Sequence, residues 1–138
     1  MSNITFSYIK PAAVKSGHTG SILAMVEKAG FKIVALKKTK LSLENAKVFY
    51  QIHKDQPFFE RLMEHTTSGP IVAMILEKEN AVQSFRELIG STDPNKSEPG
   101  TIRKLYGEDV TANAIHGSDS DENAKIESFF FFSFVERF

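Results

Sequence analysis

Ile71-Val72-Ala73-Met74-Ile75-Leu76 is an unbroken apolar run. It sits between the turn residues Ser68-Gly69-Pro70 and the polar segment Glu77-Lys78-Glu79-Asn80. A run of strand length with no polar alternation reads as a strand covered on both faces, hence central in a sheet. Upstream, Ile4-Thr5-Phe6-Ser7-Tyr8-Ile9-Lys10 alternates with period two and stops at Pro11, a second strand. Phe31 to Leu36 is rich in β-formers and reads as a third. Between these strands, residues 20–29 set Ile22, Leu23, Val26 and Ala29 on one helical face, with Gly30 as the stop. Ser42 offers an N-cap for a helix through about Ile52. A short helix after Pro57 carries Phe58, Phe59, Leu62 and Met63.

Downstream, residues 79–89 place Ala81, Val82, Phe85, Leu88 and Ile89 at helical spacing and end at Gly90. Ser91 to Gly100 is polar with two prolines, a long loop of the kind that often carries function. Asp119 with Glu122 resembles a capping box for a short helix over 121–126. Ser128 to Val135 holds five Phe and reads as a last buried strand. The order β-α-β-(α-α)-β-α-(loop)-α-β predicts an α+β domain of ferredoxin-like type. That is a βαββαβ sandwich whose four-stranded antiparallel sheet is covered by helices on one side. No repeat or low-complexity linker interrupts the chain, so residues 1–138 read as one domain.

The chain has 17 Lys+Arg against 17 Asp+Glu, no Cys and no Trp. Without Cys there are no disulfides, thiolate metal sites or cysteine nucleophiles. No apolar stretch approaches the ~20 residues of a membrane span, and Met1-Ser2-Asn3 opens no signal peptide. A soluble, cytoplasmic protein without membrane partners is the expectation. Neutrality argues against a broad nucleic-acid surface. The charge is nonetheless uneven: residues 10–54 carry nine Lys against two acids (+7), and residues 55–138 carry eight Lys/Arg against fifteen acids (−7). Two solvated faces of opposite sign explain this, and so does a local anion site.

Of the four histidines, His18, His53, His65 and His116, the first and third show no partner pattern, and no pair has zinc-site spacing. His116 differs in its setting, Asn113-Ala114-Ile115-His116-Gly117-Ser118-Asp119-Ser120. The glycine after it permits close approach of a ligand to the backbone. An imidazole nucleophile needs one nitrogen free and the other held by an acceptor, and Glu127 is a candidate acceptor.

That octapeptide resembles the active-site signature of the nucleoside diphosphate kinase family. Thr5-Phe6 through Ile9-Lys10-Pro11, and Tyr50 with His53-Lys54-Asp55-Gln56-Pro57-Phe58-Phe59, are similar to further family segments. So are Ser68-Gly69-Pro70, Asn80-Ala81-Val82 with Arg86, Gly90-Ser91-Thr92-Asp93-Pro94 and Gly100-Thr101-Ile102-Arg103. The resemblance spans about residues 4–136. It implies ping-pong transfer of a γ-phosphoryl group from a nucleoside triphosphate to a nucleoside diphosphate through a phosphohistidine on His116.

The resemblance also implies roles. Glu127 and Ser118 would fix the imidazole through its outer nitrogen, and Tyr50 would sit beside it. Arg86 and Arg103 would present cationic forks to the phosphates, with hydrogen bonds added by Thr92 and His53. Lys10 and Asn113 would bind ribose hydroxyls, with Lys10 also in reach of the transferred phosphate. Phe58 and Val110 would sandwich the base, which suits any base because each has a π-face. Mg2+ would be the cofactor, held mainly by substrate phosphates rather than by protein ligands. The family assembles dimers into tetramers or hexamers, so a homo-oligomer is expected; the short tail ending at Phe138 leaves either assembly open.

Taken singly, Arg86 and Arg103 also read as salt-bridge partners, Phe58 as core and Tyr50 as a half-buried helix residue. In one ordered frame around His116 the functional reading prevails. Ala12 departs from the family, which mostly has an acidic residue there; Gln56 and Lys104-Leu105-Tyr106 depart more peripherally. The alternative is a catalytically weakened nucleotide-binding or nucleic-acid-binding module on the same fold. An RNA-binding sheet would need exposed aromatics on its middle strands, and Ile71 to Leu76 is aliphatic.

Overall fold

The computed structural model describes residues 3–138. The apolar run forms β3 (Ile71–Glu77), hydrogen-bonded on both sides as expected of a central strand. Its antiparallel neighbours are β1 (Ile4–Ile9) and β2 (Lys32–Thr39), and the sheet order is β2-β3-β1-β4. β4 is only Ile115–Gly117, antiparallel to β1 with Tyr8 opposite His116. This is the ferredoxin-like arrangement read from the sequence.

Strand alternation sends Ile9, Val72, Met74, Leu76 and Ile115 to one face. There they meet Ala13 of α1 (Pro11–Lys15), Ile22 and Val26 of α2 (Thr19–Lys28), and Phe85 and Ile89 of α5 (Ala81–Ile89). Ile102 of α6 (Ile102–Tyr106) joins them. Phe6, Tyr8, Ala73 and Ile75 go to the other face. They pack on Ala46 of α3 (Leu43–Phe49), Met63 of α4 (Phe59–Thr66) and Phe131 of α7 (Asp121–Phe131). Helices therefore cover both faces, not one. The reason lies in β3: Ile71, Met74, Ile75 and Leu76 are all fully buried. Each such side chain contributes about 1.5–3 kcal/mol only when its own face is covered. The middle strands are thus closed on both sides and present no aromatic platform.

Three local expectations need correction. Ser128 to Val135 is not a strand. The Ser120 side chain accepts from the Asn123 N–H, and Asp121 and Glu122 in the first turn suit the helix dipole. The helix so started runs through Phe131, with Ala124, Ser128 and Phe131 on its buried stripe. Ser120, not Asp119, is therefore the N-cap; Asp119 accepts from the Asn123 side chain. The helix begun at Ser42 stops at Phe49, and Gln51–His53 forms a 3-10 turn. α1 and α6, five residues each, carry too little periodicity to be read in advance.

Candidate active site

The imidazole of His116 stands on edge strand β4, on the face shared with Tyr8. The ring of Tyr8 lies nearly parallel to it, centroids 5.2 Å apart at 22°. Phe49 meets it edge-on at 5.6 Å and Tyr50 at 6.2 Å. The Ser7 hydroxyl donates to the His116 carbonyl at 2.7 Å, fixing the backbone beneath the ring. Nε2 of His116 donates to Oε1 of Glu127 at 2.8 Å, and Ser118 Oγ donates to the same oxygen at 2.6 Å. Glu127 therefore holds the ring directly, whereas Ser118 acts on Glu127. With Nε2 carrying the proton, the neutral ring has its lone pair on Nδ1. Nδ1 takes no hydrogen bond from the described residues.

The approach to β4 is bent to make this possible. Ala114 has φ 76°, the left-handed region a non-glycine residue enters at a cost of about 1–3 kcal/mol. Its carbonyl accepts from the Lys10 N–H at 2.8 Å, which locks the bend against the end of β1. Gly117 lines the cavity beside His116 and has a second purpose in packing. A Cβ there would lie 2.9 Å from Ile89 Cδ1 and 3.2 Å from Phe85 Cδ2, so the glycine lets β4 sit against α5.

One cavity of about 260 Å³ opens beside the imidazole. Lys10, Tyr50, His53, Phe58, Arg86, Thr92, Arg103, Val110, Asn113, His116 and Glu127 all line it. Eleven of the twelve residues singled out from the sequence thus share one space, and Ser118 stands behind Glu127. Arg103 is buried and donates to the carbonyls of Gly90 and Ile115, both at 3.0 Å. Gly90 at φ 90° makes the turn, and a Cβ there would lie 2.7 Å from Thr101 Oγ1. Burial, then the charge of Arg86, lowers the Arg103 pKa to about 10. Burial, then the charge of Arg103, lowers Lys10 to about 7. Among the described residues no ion pair joins Lys10, Arg86 or Arg103 to a carboxylate. Unneutralised cations crowded at one cavity make a site for a polyanion. Asn113 donates to the Thr92 carbonyl at 3.0 Å, while its own buried Oδ1 has no partner. That orphaned acceptor is suited to a ligand hydroxyl. Phe58 and Val110 are about half exposed at the cavity, so Phe58 is not core.

Tyr8, Phe49, Asp119 and Asn123 also contact the imidazole or line the cavity and were not foreseen. The alternation of β1 put Tyr8 beside Phe6, but the partner strand carrying His116 was too short to recognise.

A ferredoxin-like domain with a histidine held by a carboxylate in a cationic cleft defines a class of histidine-centred, anion-handling proteins. Comparison narrows the class. The nucleoside diphosphate kinase family model matches residues 3–136. The nucleoside diphosphate kinase of Persephonella marina is 54% identical over 132 residues, covering 96% of this chain and 94% of its own. That of Campylobacter hominis is 55% identical over 129 residues, covering 94% of each. Among solved structures, the Aquifex aeolicus nucleoside diphosphate kinase superposes with TM-score 0.96 at 42% identity over 99% of both chains. A halophilic nucleoside diphosphate kinase from Halobacterium salinarum, in complex with CDP, gives 0.95 at 38% identity over 100% of this chain and 92% of that one. The chain belongs to the nucleoside diphosphate kinase family.

Proposed function

We propose that this chain is a nucleoside diphosphate kinase working by ping-pong phosphoryl transfer through His116, with residues 1–138 acting as one catalytic domain. The observation that carries this is the imidazole itself: Nε2 is held by Glu127, and Nδ1 is left free in a cavity lined by unpaired cations. The Nδ1 lone pair attacks the γ-phosphorus of a nucleoside triphosphate. The bond from phosphorus to the β-phosphate oxygen breaks, and the diphosphate leaves with its electron pair. A second nucleoside diphosphate then attacks the phosphohistidine through a terminal β-phosphate oxygen, and the N–P bond breaks.

Phosphoryl transfer is mostly positioning and charge neutralisation. Arg86, Arg103 and Lys10 supply the charge, with Thr92 and His53 as further phosphate donors. Glu127, supported by Ser118, stabilises the cationic imidazole as its Nδ1 bonds to phosphorus, and Tyr50 walls the ring. Asn113 Oδ1 accepts from the ribose, and Phe58 and Val110 flank the base without selecting it. Magnesium suits this cleft as an ion carried in by the nucleotide. The described residues hold no cluster of three metal-ligating side chains, and Glu127 is engaged on the histidine, which leaves Asp119 as the cavity's other carboxylate. When bound, the ion neutralises the phosphates that hold it.

No described helix is long and apolar enough to cross a membrane, and the reading places the chain in the cytoplasm, where triphosphate donors are kept. A homo-oligomer built from dimers is part of the same reading, supported by the exposed Leu36, Phe134 and Val135.

Incubation with γ-labelled ATP and magnesium tests the reading. An acid-labile, alkali-stable phosphoprotein that GDP discharges to GTP is expected. Absence of label sinks the enzyme, and label that survives His116→Ala sinks the nucleophile.

A further inference from the structure

We infer that Tyr8 is a positioning residue for the phosphoryl transfer, acting through Tyr50 and the His116 ring. The inference rests on the kinase reading above and adds to it a residue on the opposite strand. Tyr8 is fully buried and sits directly across the β1–β4 ladder from His116. Cross-strand partners share a face, so its ring forms the floor under the imidazole, 5.2 Å away and 22° from parallel. Its hydroxyl is hydrogen-bonded to the hydroxyl of Tyr50, whose ring is the wall at 89° to the imidazole.

Floor and wall are thus one hydrogen-bonded unit. The link has a structural reason. Tyr50 stands at the end of α3, on the helical hairpin that also carries His53 and Phe58, whereas His116 stands on the sheet. The Tyr8 hydroxyl ties the hairpin tyrosine to the strand beside the nucleophile. Both phenols stay neutral, because burial raises Tyr8 to about 12 and holds Tyr50 well above its usual range. Each neutral hydroxyl carries one hydrogen, so the bond between them fixes the swing of the Tyr50 ring and which way its oxygen points. Without Tyr8's hydroxyl, a buried Tyr50 oxygen loses its partner and the wall of the nucleophile loosens.

Tyr8→Phe keeps the floor and removes the link. The experiment is the single-turnover rate of His116 labelling by saturating γ-labelled ATP, in wild type, Tyr8→Phe, Tyr50→Phe and the double variant, with Tm and the half-saturating ATP concentration measured alongside. Loss of a net hydrogen bond of this kind is expected to slow labelling about fivefold to tenfold in Tyr8→Phe. The ATP concentration that half-saturates this single-turnover rate should be unchanged, because Tyr8 does not line the nucleotide cavity. The double variant should label no more slowly than Tyr50→Phe, since the two hydroxyls act as one unit. A Tyr8→Phe protein that loses Tm but labels at the wild-type rate overturns the inference, as do multiplicative losses in the double variant. These outcomes leave the kinase reading intact. A wild type that takes no label overturns both.

Discussion

Lys10 shows how a single side chain couples the site to pH. Its ammonium is buried with one acceptor, the Thr111 carbonyl at 3.2 Å, and its pKa falls from 10.5 to about 7. Burial is the larger cause and Arg103 the next, with Asp109 acting in the opposite direction. Between those two values the unfolded chain holds a proton that the folded chain has released. Lys10 therefore makes stability rise with pH across that window, and below it the buried charge is a standing cost. An anionic nucleotide reverses the preference by favouring the ammonium. Nucleotide binding near pH 8 is expected to take up a proton, and affinity to weaken as pH climbs above about 7. Titration calorimetry in two buffers of different ionisation heat measures the uptake. Wild type should show it and Lys10→Met should not; equal heats for wild type in both buffers would remove Lys10 from the binding site.

Single elements show where sequence periodicity is enough and where it fails. α1 begins at Pro11 with no acidic residue in its first turn, and Ala12 occupies the position where an aspartate would face the helix's positive end. Ala12→Asp is expected to add about 0.3–1 kcal/mol, or about 1–4 °C in Tm, through the dipole. Thermal unfolding of the two proteins checks this, and an unchanged Tm would mean that the first turn is indifferent to charge. Long elements were legible because their patterns outlast noise: the run Ile71 to Leu76 and the Ala81-to-Ile89 helix need no tertiary information. The Phe-rich tail was misread because phenylalanine favours strands locally, while the decision lay upstream in the Ser120 cap. β4 was invisible for another reason. Three residues have no period, and Ile115–Gly117 is a strand only because β1 is there to pair with it. The site was more legible than its scaffold, since the family resemblance fixed residue identities around His116. What it could not supply was Tyr8, which has meaning only across that unseen ladder.

At the scale of the molecule, formal neutrality and a cationic cleft coexist because a triphosphate needs a few aimed charges rather than a basic surface. Lys10, Arg86 and Arg103 come from β1's end, α5 and α6, and the fold gathers them at one cavity. The outer surface carries a different message. Leu36 on edge strand β2 is half exposed, and Phe134 and Val135 are 79% and 81% exposed. Sedimentation equilibrium is expected to give a multiple of 15.4 kDa, and the pair Phe134→Glu and Val135→Lys to shift it toward smaller species. A wild type that sediments at monomer mass at every concentration would refute the proposed assembly. The aromatic floor and wall of the nucleophile carry one more consequence. The chain has three Tyr and no Trp, and two of those Tyr press against His116 while the third, Tyr106, lies tilted beside His18. Phenol emission is therefore drawn largely from the reacting centre, with no indole to mask it. In the proposed mechanism, phosphorylation of the imidazole would place a dianion beside those rings, and intrinsic fluorescence is then expected to change on labelling, which a stopped-flow trace without an added label would measure.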